Sequence, residues 1–314
     1  MFPFKRTMAE GWRVGVMPTD RETALAIVRR GRSDQPLLRH CAIHPTVEIR
    51  AEHVLQPLNS NRELAGAAVS GVLGTNDYQL VQVEAPEVPP DELRSAVRWK
   101  LKDLIGYPVS EAVVDVFEVP ENTRYVESRM VFAVAARAQA VQGVVNLLKP
   151  RVRGFDVLDI PEMCLRNVSA LLPQDESGVV LLALGEGFVQ LTVTCRGVLY
   201  LARRIEMVRR LDLDSRGTEE REIDVAALAL ELQRSLDYYE SHFDLPPITE
   251  VAVVAGDPRA EPLLASLHSA TGLAVSALEV PELFEVAAGV EPDTRWPGLL
   301  ALGAALRGTE RSAA

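Results

Sequence analysis

The chain has 314 residues, with 33 lysines and arginines against 44 aspartates and glutamates, so its formal net charge is −11. Hydrophobic residues make up 47% and charged residues 25%, which is typical of a folded globular protein of two domains or one bilobed body and excludes bulk disorder and collagen-like sequence. The acidic balance argues against nucleic acid as a partner, because neutralising phosphates needs a basic face.

The first predicted elements form a meander of three strands. Arg13–Met17, Thr23–Val28 and Leu37–Ile43 are apolar or alternating segments, and Pro18–Arg21 has the composition of a turn. We assign residues 1–76 to the sheet of a first lobe.

A helix, two strands and a second helix are predicted next. The first helix enters at Val88–Pro90 and ends at Gly106–Pro108. Its apolar stripe is predicted to contain Leu93, Val97, Leu101 and Leu104, with Trp99 and Lys100 pointing away. The following elements are strands Val113–Val119 and Arg129–Ala136, a polar loop at Glu121–Tyr125 between them, and helix Val141–Leu148. Residues 77–150 are therefore expected to form a compact α+β insertion, and residues 151–175 to return to the first lobe.

The second half begins with another meander. Its strands are Val179–Leu184, Phe188–Thr194 and Val198–Arg203, and two such meanders indicate a duplicated fold. The remaining predicted elements are an exposed charged loop at 209–222, a long helix Asp224–Phe243, a βαβ unit over 250–278 and a helix Pro297–Leu306. We assign residues 176–314 to a second lobe.

Neither a membrane-spanning segment nor an export signal is expected from the sequence. Apolar runs such as Val131–Ala136 are far shorter than the roughly 20 residues that span a bilayer. The opening segment Met1–Thr7 lacks the apolar core of a secretion signal. A cytoplasmic protein is expected.

Cysteine and histidine give no metal or redox pattern. Cys41, Cys164 and Cys195 are widely spaced and odd in number, which favours buried free thiols. His40 and His44 share one face of a predicted strand, but no third ligand is recognisable. We predict no metal site.

Four motifs occur in an order that resembles a known family. They are Trp99–Ile105, Val114–Pro120, Leu158–Asn167 and Leu230–Ser241. Together they resemble the MshI-type proteins of MSHA-pilus biogenesis, which belong with the PilM-type proteins of type IV pilus assembly. The resemblance covers about residues 75–280 and implies the actin-like ATPase fold, related to that of the division protein FtsA. It implies an α/β protein of two duplicated lobes, each with a mixed sheet and flanking helices, plus a small inserted α+β subdomain.

The same resemblance implies a function. It is that of a cytoplasmic scaffold of a pilus assembly platform, peripheral to the inner membrane, which binds the N-terminal tail of a PilN-like inner-membrane partner. In PilM-type proteins that tail lies between the first lobe and the inserted subdomain, which here implies the helix Asp91–Ile105. Formation of a homo-oligomer stays open.

Relatives with this fold bind ATP between the lobes, where two hairpins of the form Asp-Ile-Gly surround the phosphates and a Gly pair admits adenosine. Backbone N–H groups must approach the phosphates closely, so bulky side chains are disfavoured in the turns. Here the corresponding segments read Gly15–Pro18, Ala183–Gly187 and Ala255–Asp257, and neither hairpin keeps its aspartate. Pro18 also lacks an N–H donor.

Three glycines are the candidate remnants of a nucleotide site: Gly185, Gly187 and Gly256. The alternative is that they are ordinary turn glycines. We expect a degenerate site with no bound cofactor, no catalytic residue and no metal ligand, so enzyme activity is uncertain. The competing hypothesis is a functional ATPase that binds ATP with magnesium.

A third hypothesis is a type II secretion component of the GspL kind, which shares the fold. Such a protein normally carries a membrane span after its actin-like part, and no such run follows Leu278 here. Other polar or aromatic candidates are interpreted as structural: Asp115, Asp156 and Asp159 as surface or strand-end carboxylates, Trp99, Tyr238 and Tyr239 as packing residues, and Arg203, Arg204, Arg209 and Arg210 as a solvated face.

Overall fold

The computed structural model describes residues 11–29, 35–46, 50–64, 66–119, 129–211 and 219–308. The strands in these ranges are β1 (Trp12–Pro18), β2 (Glu22–Arg29), β3 (Leu37–Pro45), β4 (Ala68–Val72), β5 (Tyr78–Glu84), β6 (Ala112–Glu118), β7 (Met130–Arg137), β8 (Phe155–Asp159), β9 (Val179–Leu184), β10 (Phe188–Cys195), β11 (Val198–Glu206), β12 (Val208–Leu211), β13 (Glu219–Glu222), β14 (Glu250–Val254), β15 (Ala274–Leu278) and β16 (Glu285–Val286). The helices are α1 (Ala51–Ser60), α2 (Leu93–Lys100), α3 (Ala138–Leu148), α4 (Pro161–Ser169), α5 (Val225–His242), α6 (Ala260–Thr271) and α7 (Trp296–Ala305). No helix in the described ranges is long and apolar enough to cross a bilayer.

The two main sheets have the same topology. The first has the order β16-β3-β2-β1-β4-β8 and the second the order β11-β10-β9-β14-β15. In each, an antiparallel meander continues into two parallel strands: β1 pairs with β4 and β4 with β8, while β9 pairs with β14 and β14 with β15. The duplicated architecture predicted from the two meanders is therefore confirmed.

Helices cover both faces of each sheet. One buried cluster joins the inner faces of the two sheets through α4 and α7, and contains Met17, Cys164, Leu181 and Leu300. On the outer faces, α1 and α3 pack against the first sheet and α5 and α6 against the second. The apolar stripe predicted for the long helix is buried as expected at Leu228, Leu232, Leu236 and Tyr239, and the Asp224 side chain caps its N-terminus by accepting from the Ala227 N–H.

The inserted subdomain is a three-stranded sheet, in the order β5-β7-β6, covered by α2. The stripe residues Leu93, Val97 and Leu101 are buried against it, but Leu104 is 52% exposed, contrary to prediction. Its position differs because α2 ends at Lys100 and a 3₁₀ turn, Leu101–Asp103, follows, so the side-chain spacing changes from 3.6 to 3.0 residues per turn. The packing role predicted for Trp99 is also wrong, since its side chain is 75% exposed.

The division into contiguous lobes predicted from sequence differs from the observed pairing. β16 pairs with β3, and α7 packs against β1 and β2, so the end of the predicted second lobe returns to the first sheet. Helix α3, assigned to the insertion, packs on the first sheet through Leu148. The sequence has no local signal for these contacts, because they form between segments that are distant along the chain.

Two loop predictions have different outcomes. The charged stretch 209–222 was expected to be a loop, but β12 and β13 pair antiparallel from Val208↔Glu222 to Leu211↔Glu219. The polar loop expected at Glu121–Tyr125 lies outside the described residues.

Helix α7 approaches β1 closely because small residues face each other. A Cβ added to Gly15 would overlap the Ala301 carbonyl oxygen. A Cβ added to Gly303 would likewise overlap the Cys164 carbonyl oxygen in α4, so α7 is held tightly between β1 and α4.

We predict that Gly15→Ala lowers the free energy of unfolding by about 3 kcal/mol, because backbone atoms of α7 must move. Urea unfolding monitored by circular dichroism measures the change. Gly143→Ala is the control: Gly143 lies in a helix, no atom would lie within 4 Å of its added Cβ, and the substitution should leave stability unchanged or raise it. Equal stabilities of the two variants would contradict the prediction.

Candidate functional site

The turns of the two hairpins, β1–β2 and β9–β10, meet at one cleft. Its volume is about 760 Å³. Its lining comprises the first turn (Met17–Glu22), the segment after β4 (Gly74–Asp77), one side of α3 (Ala140, Gly143, Val144, Leu147), three residues of the second sheet and its turn (Glu186, Phe188, Arg204) and the start of α7 (Trp296, Pro297). The chain thus brings together the segments that the resemblance assigned to phosphate binding.

The first turn uses its own polar groups internally. The Thr19 N–H donates to the Glu22 carbonyl at 2.8 Å. The Thr19 hydroxyl accepts from the Glu22 N–H at 3.0 Å and from the Arg21 N–H at 3.3 Å. Pro18 has no N–H, and the N–H groups of Thr19, Arg21 and Glu22 are already paired within the turn.

The second turn is covered by an aromatic ring. A Cβ on Gly185 would overlap the ring of Phe188, which means that this ring fills the space above the glycine. The Gly185 N–H donates to the Phe188 carbonyl at 2.9 Å, and the Gly187 carbonyl accepts from the Met207 N–H at 2.9 Å. Gly187 has φ of +87°, a conformation that favours glycine in any tight turn.

Gly256 lies after β14, beside the second turn. Its φ is +100°, and an added Cβ would lie 2.8 Å from the Thr294 hydroxyl oxygen. The Arg259 guanidinium connects this segment to Gly185 by donating to the Gly185 carbonyl at 3.4 Å. The same guanidinium donates to Asp257 at 2.8 Å, and this hydrogen bond lowers the pKa of the Asp257 carboxyl. Gly185, Gly187 and Gly256 therefore lie in one region beside the cleft, with side chains of the protein against two of them, and none of the three is among the residues that line the cleft.

The cleft is acidic. Four carboxylates line it, from Asp20, Glu22, Asp77 and Glu186, against the guanidinium groups of Arg21 and Arg204. Burial raises the pKa of the Asp77 carboxyl, and the nearby Asp20 charge raises it further. Arg21 reaches across the cleft to Glu186, at 3.6 Å, with both side chains largely exposed. An excess of carboxylates disfavours a polyphosphate unless cations accompany it.

A nucleotide would need a magnesium site in addition to a phosphate cradle. Among the described residues there is no group of three or more histidine, cysteine, aspartate or glutamate side chains arranged to hold a metal ion. Asp20 and Asp77 are the carboxylates placed to approach a ligand from the first lobe. The donor set therefore fits a nucleotide poorly at both hairpins.

Asp77, Phe188 and Trp296 line the cleft but were not singled out from the sequence, and Arg204, interpreted there as part of a solvated face, lines it as well. One signal was available, since Gly74–Asp77 is a turn-like segment directly after the apolar β4, and ligands of α/β sheets bind at the carboxyl ends of parallel strands. Phe188 and Trp296 had no signal, because their positions follow from how the two lobes meet.

The other singled-out polar residues have structural partners. Asp159 is 4% exposed and accepts from Arg307 at 2.7 Å, while the exposed Asp115 lies 2.8 Å from Arg94. Nothing is described for the Asp156 side chain. Tyr239 is fully buried in the core of the second sheet, as predicted.

All three cysteines are buried free thiols, as predicted. Cys41 donates to the Asp293 carbonyl at 3.2 Å, and burial raises the pKa of its thiol to about 12. His40 and His44 stack with ring centroids 6.0 Å apart.

A buried hydrogen bond connects the insertion to α4 near the cleft. The Tyr78 hydroxyl, at the start of β5, donates to the Glu162 carboxylate at 2.6 Å. Both side chains are buried, and burial raises the pKa of Glu162, an effect that the Tyr78 hydrogen bond and the Arg204 charge oppose. This hydrogen bond thus anchors the insertion to α4 through the Glu162 carboxyl group, whose ionisation is disfavoured by burial.

This anchor predicts a pH dependence of stability. Because the folded-state pKa of Glu162 lies above its unfolded value of 4.5, its contribution is fully present below pH 4.5 and is lost as pH rises through the folded-state pKa. Glu162→Gln keeps an acceptor for Tyr78 but does not titrate. In urea unfolding at several pH values, the excess stability of the wild type over Glu162→Gln should shrink as pH rises above 4.5.

A constant difference between the wild type and Glu162→Gln over this pH range would contradict the prediction.

Comparison with known proteins gives relatives by structure only, since no family model and no curated protein matches the chain. It is similar to a solved PilM-PilN type IV pilus biogenesis complex, at 19% identity over 96% of this chain and 99% of that one, with a TM-score of 0.67. It is also similar to the cytoplasmic domain of EpsL, an inner membrane component of the type II secretion system of Vibrio cholerae, at 12% identity over 96% and 100% of the chains, with a TM-score of 0.50. A Bacteroides thetaiotaomicron protein with an actin-like ATPase fold and unknown function has 9% identity over 88% and 94%, with a TM-score of 0.48.

The chain has the actin-like ATPase fold, as the resemblance implied. At these identities the likenesses establish the fold and not an activity. Any function must therefore be argued from the cleft and the surface.

Proposed function

We propose that this protein is a cytoplasmic scaffold of a type IV pilus assembly platform of the MSHA type. In this proposal it binds the N-terminal tail of a PilN-like inner-membrane partner, associates with the inner membrane through that partner, and has a degenerate nucleotide site. The likeness to the PilM-PilN structure and the motifs Trp99–Ile105 and Leu230–Ser241 support it. The observation that carries it is that three backbone N–H groups of the first turn are paired within that turn and that the Phe188 ring lies against Gly185 in the second.

That observation concerns both turns. In the first, the hydroxyl and N–H of Thr19 pair with the turn backbone, so donors are not free for a phosphate. In the second, the Phe188 ring covers Gly185. A phosphate cradle depends on free backbone donors at a small residue, so a ligand would first have to displace these contacts.

The surface supports a binding role on the insertion. Five large hydrophobic side chains in the described ranges are exposed, and three of them belong to the insertion: Trp99, Leu104 and Val113. Trp99 and Leu104 lie in the segment Asp91–Ile105, where the resemblance places the partner tail. Exposed apolar side chains gathered on one small subdomain are typical of a protein interaction site.

We predict that Trp99→Ala weakens binding of a peptide with the sequence of the PilN-like tail by about 30-fold, the effect of losing an interface hot spot of about 2 kcal/mol. Fluorescence anisotropy of a labelled peptide measures the affinity. Leu230→Ala is the matched control, because Leu230 is also an exposed apolar residue but lies on α5 in the second lobe.

Full-strength binding by Trp99→Ala would place the tail elsewhere. Failure of the wild type to bind the tail at all would remove the partner from the proposal.

A functional ATPase is the second candidate, favoured by the cleft volume of about 760 Å³ and by the carboxylates of Asp20 and Asp77. A ligand at a hundredfold excess over its Kd stabilises a protein by about 2.7 kcal/mol, which raises the melting temperature by several degrees. We predict no change in melting temperature in millimolar ATP with magnesium, because the N–H groups of Thr19, Arg21 and Glu22 are paired within the first turn and the Phe188 ring covers Gly185 in the second. A rise of several degrees would favour the ATPase.

A GspL-like role in type II secretion is the third candidate, favoured by the likeness to the EpsL cytoplasmic domain. The tail peptide of a type II secretion partner, measured beside the pilus tail in the same assay, separates the two. Preferential binding of the secretion tail would replace the pilus assignment while leaving the scaffold role intact.

A further inference from the structure

Phe188 occupies an unusual position at the mouth of the cleft. It is the first residue of β10, its side chain is 3% exposed, and its ring covers Gly185 in the turn that precedes it. A buried ring at the end of a hairpin must be covered by something outside that hairpin, because the turn itself is too small to enclose it.

Part of that cover comes from the other lobe. The ring of Trp296 meets Phe188 edge-on, with ring centroids 5.1 Å apart and an interplanar angle of 88°. Trp296 begins α7, which packs against β1 and β2 of the first sheet. The aromatic pair therefore joins the second lobe to the first across the cleft, in a geometry that aromatic rings favour.

Arg204 covers the ring on another side. Its guanidinium lies 4.1 Å from the centre of the Phe188 ring, within cation–π distance. The same group pairs with Glu206 at 2.8 Å and donates to Asn76 at 3.3 Å. Asn76 belongs to the segment that connects β4 of the first sheet to β5 of the insertion, so Arg204 also bridges the two lobes.

We propose that Phe188, Trp296 and Arg204 form an interlobe latch, which holds the cleft in one arrangement by contacts within the protein. In this role the Phe188 ring replaces a bound ligand, because it contacts the turn glycine on one side and the opposite lobe on the other. The inference deepens the proposed function and rests on it, since a latch is needed where no nucleotide joins the lobes.

Several features of the molecule agree with this role. The lobes are already joined at the base of the cleft by the core around α4 and α7. The hairpin turns lie at the mouth, where the ion pair Arg21–Glu186 is exposed and contributes little. Phe188 is buried, so its contacts with Trp296 and Arg204 are better shielded from solvent than that ion pair.

Distance measurements between the lobes test the latch. Spin labels are placed on cysteines introduced at the exposed positions Gln139 in α3 and Ala265 in α6, while the three native cysteines are buried. Double electron–electron resonance then gives the distribution of interlobe distances. The wild-type latch should give one narrow distribution, and Phe188→Ala should widen it about twofold, because an open arrangement becomes populated.

Two further variants separate a latch from general packing. Trp296→Ala removes the other half of the contact and should widen the distribution as Phe188→Ala does. Phe243→Ala removes a ring buried in the core of the second lobe, away from Trp296, and should leave the distribution narrow even though it lowers stability.

The outcomes are distinct. A narrow distribution in both Phe188→Ala and Trp296→Ala, or an equal widening in Phe243→Ala, would overturn the latch. A change in the wild-type distribution on adding ATP with magnesium would instead contradict the degenerate site of the proposed function, whatever the variants show.

Discussion

The close packing of α7 against β1 and α4 brings the two sheets together. Gly15 permits the approach of α7 to β1 and Gly303 its approach to α4, because a side chain at either position would overlap backbone. With α7 and α4 held between the inner faces of the two sheets, the sheets face each other across one core. Their hairpins then converge at the same cleft. A tightly packed base of this kind joins the two lobes, while the separation of the hairpins at the mouth of the cleft depends on a few side chains.

The turns of the two hairpins that converge at the cleft are engaged by groups of the protein itself. Thr19 pairs with the backbone of the first turn, and the Phe188 ring covers the glycine of the second. Carboxylates outnumber guanidinium groups around the space between them. The two sheets thus have the duplicated arrangement, while the groups at the hairpin turns contact other groups of the same chain. The same chain presents Trp99 on the insertion, where a soluble protein would otherwise bury such a side chain.

Much of the fold could be predicted from sequence, because its elements carry local signals. The meander at 13–43 and the buried stripe of the long helix both follow from periodicity, and a second meander at 179–203 indicated the duplicated arrangement. Errors occurred where distant segments decide the outcome. The return of β16 and α7 to the first sheet has no local signature, and the exposure of Leu104 depends on a 3₁₀ turn that a helical pattern does not reveal. In the candidate site, the glycines could be found by motif, whereas Phe188 and Trp296 become partners only when the lobes assemble.

In the proposed function the protein's own groups engage both hairpin turns, so no triphosphate binds between them. The most direct measurement is a crystal structure of the protein grown with a non-hydrolysable ATP analogue and magnesium. The account predicts electron density for the Phe188 ring against Gly185 and for Thr19 within its own turn, with no triphosphate between the hairpins. A triphosphate held by both turns, with the ring of Phe188 rotated away from Gly185, would contradict it.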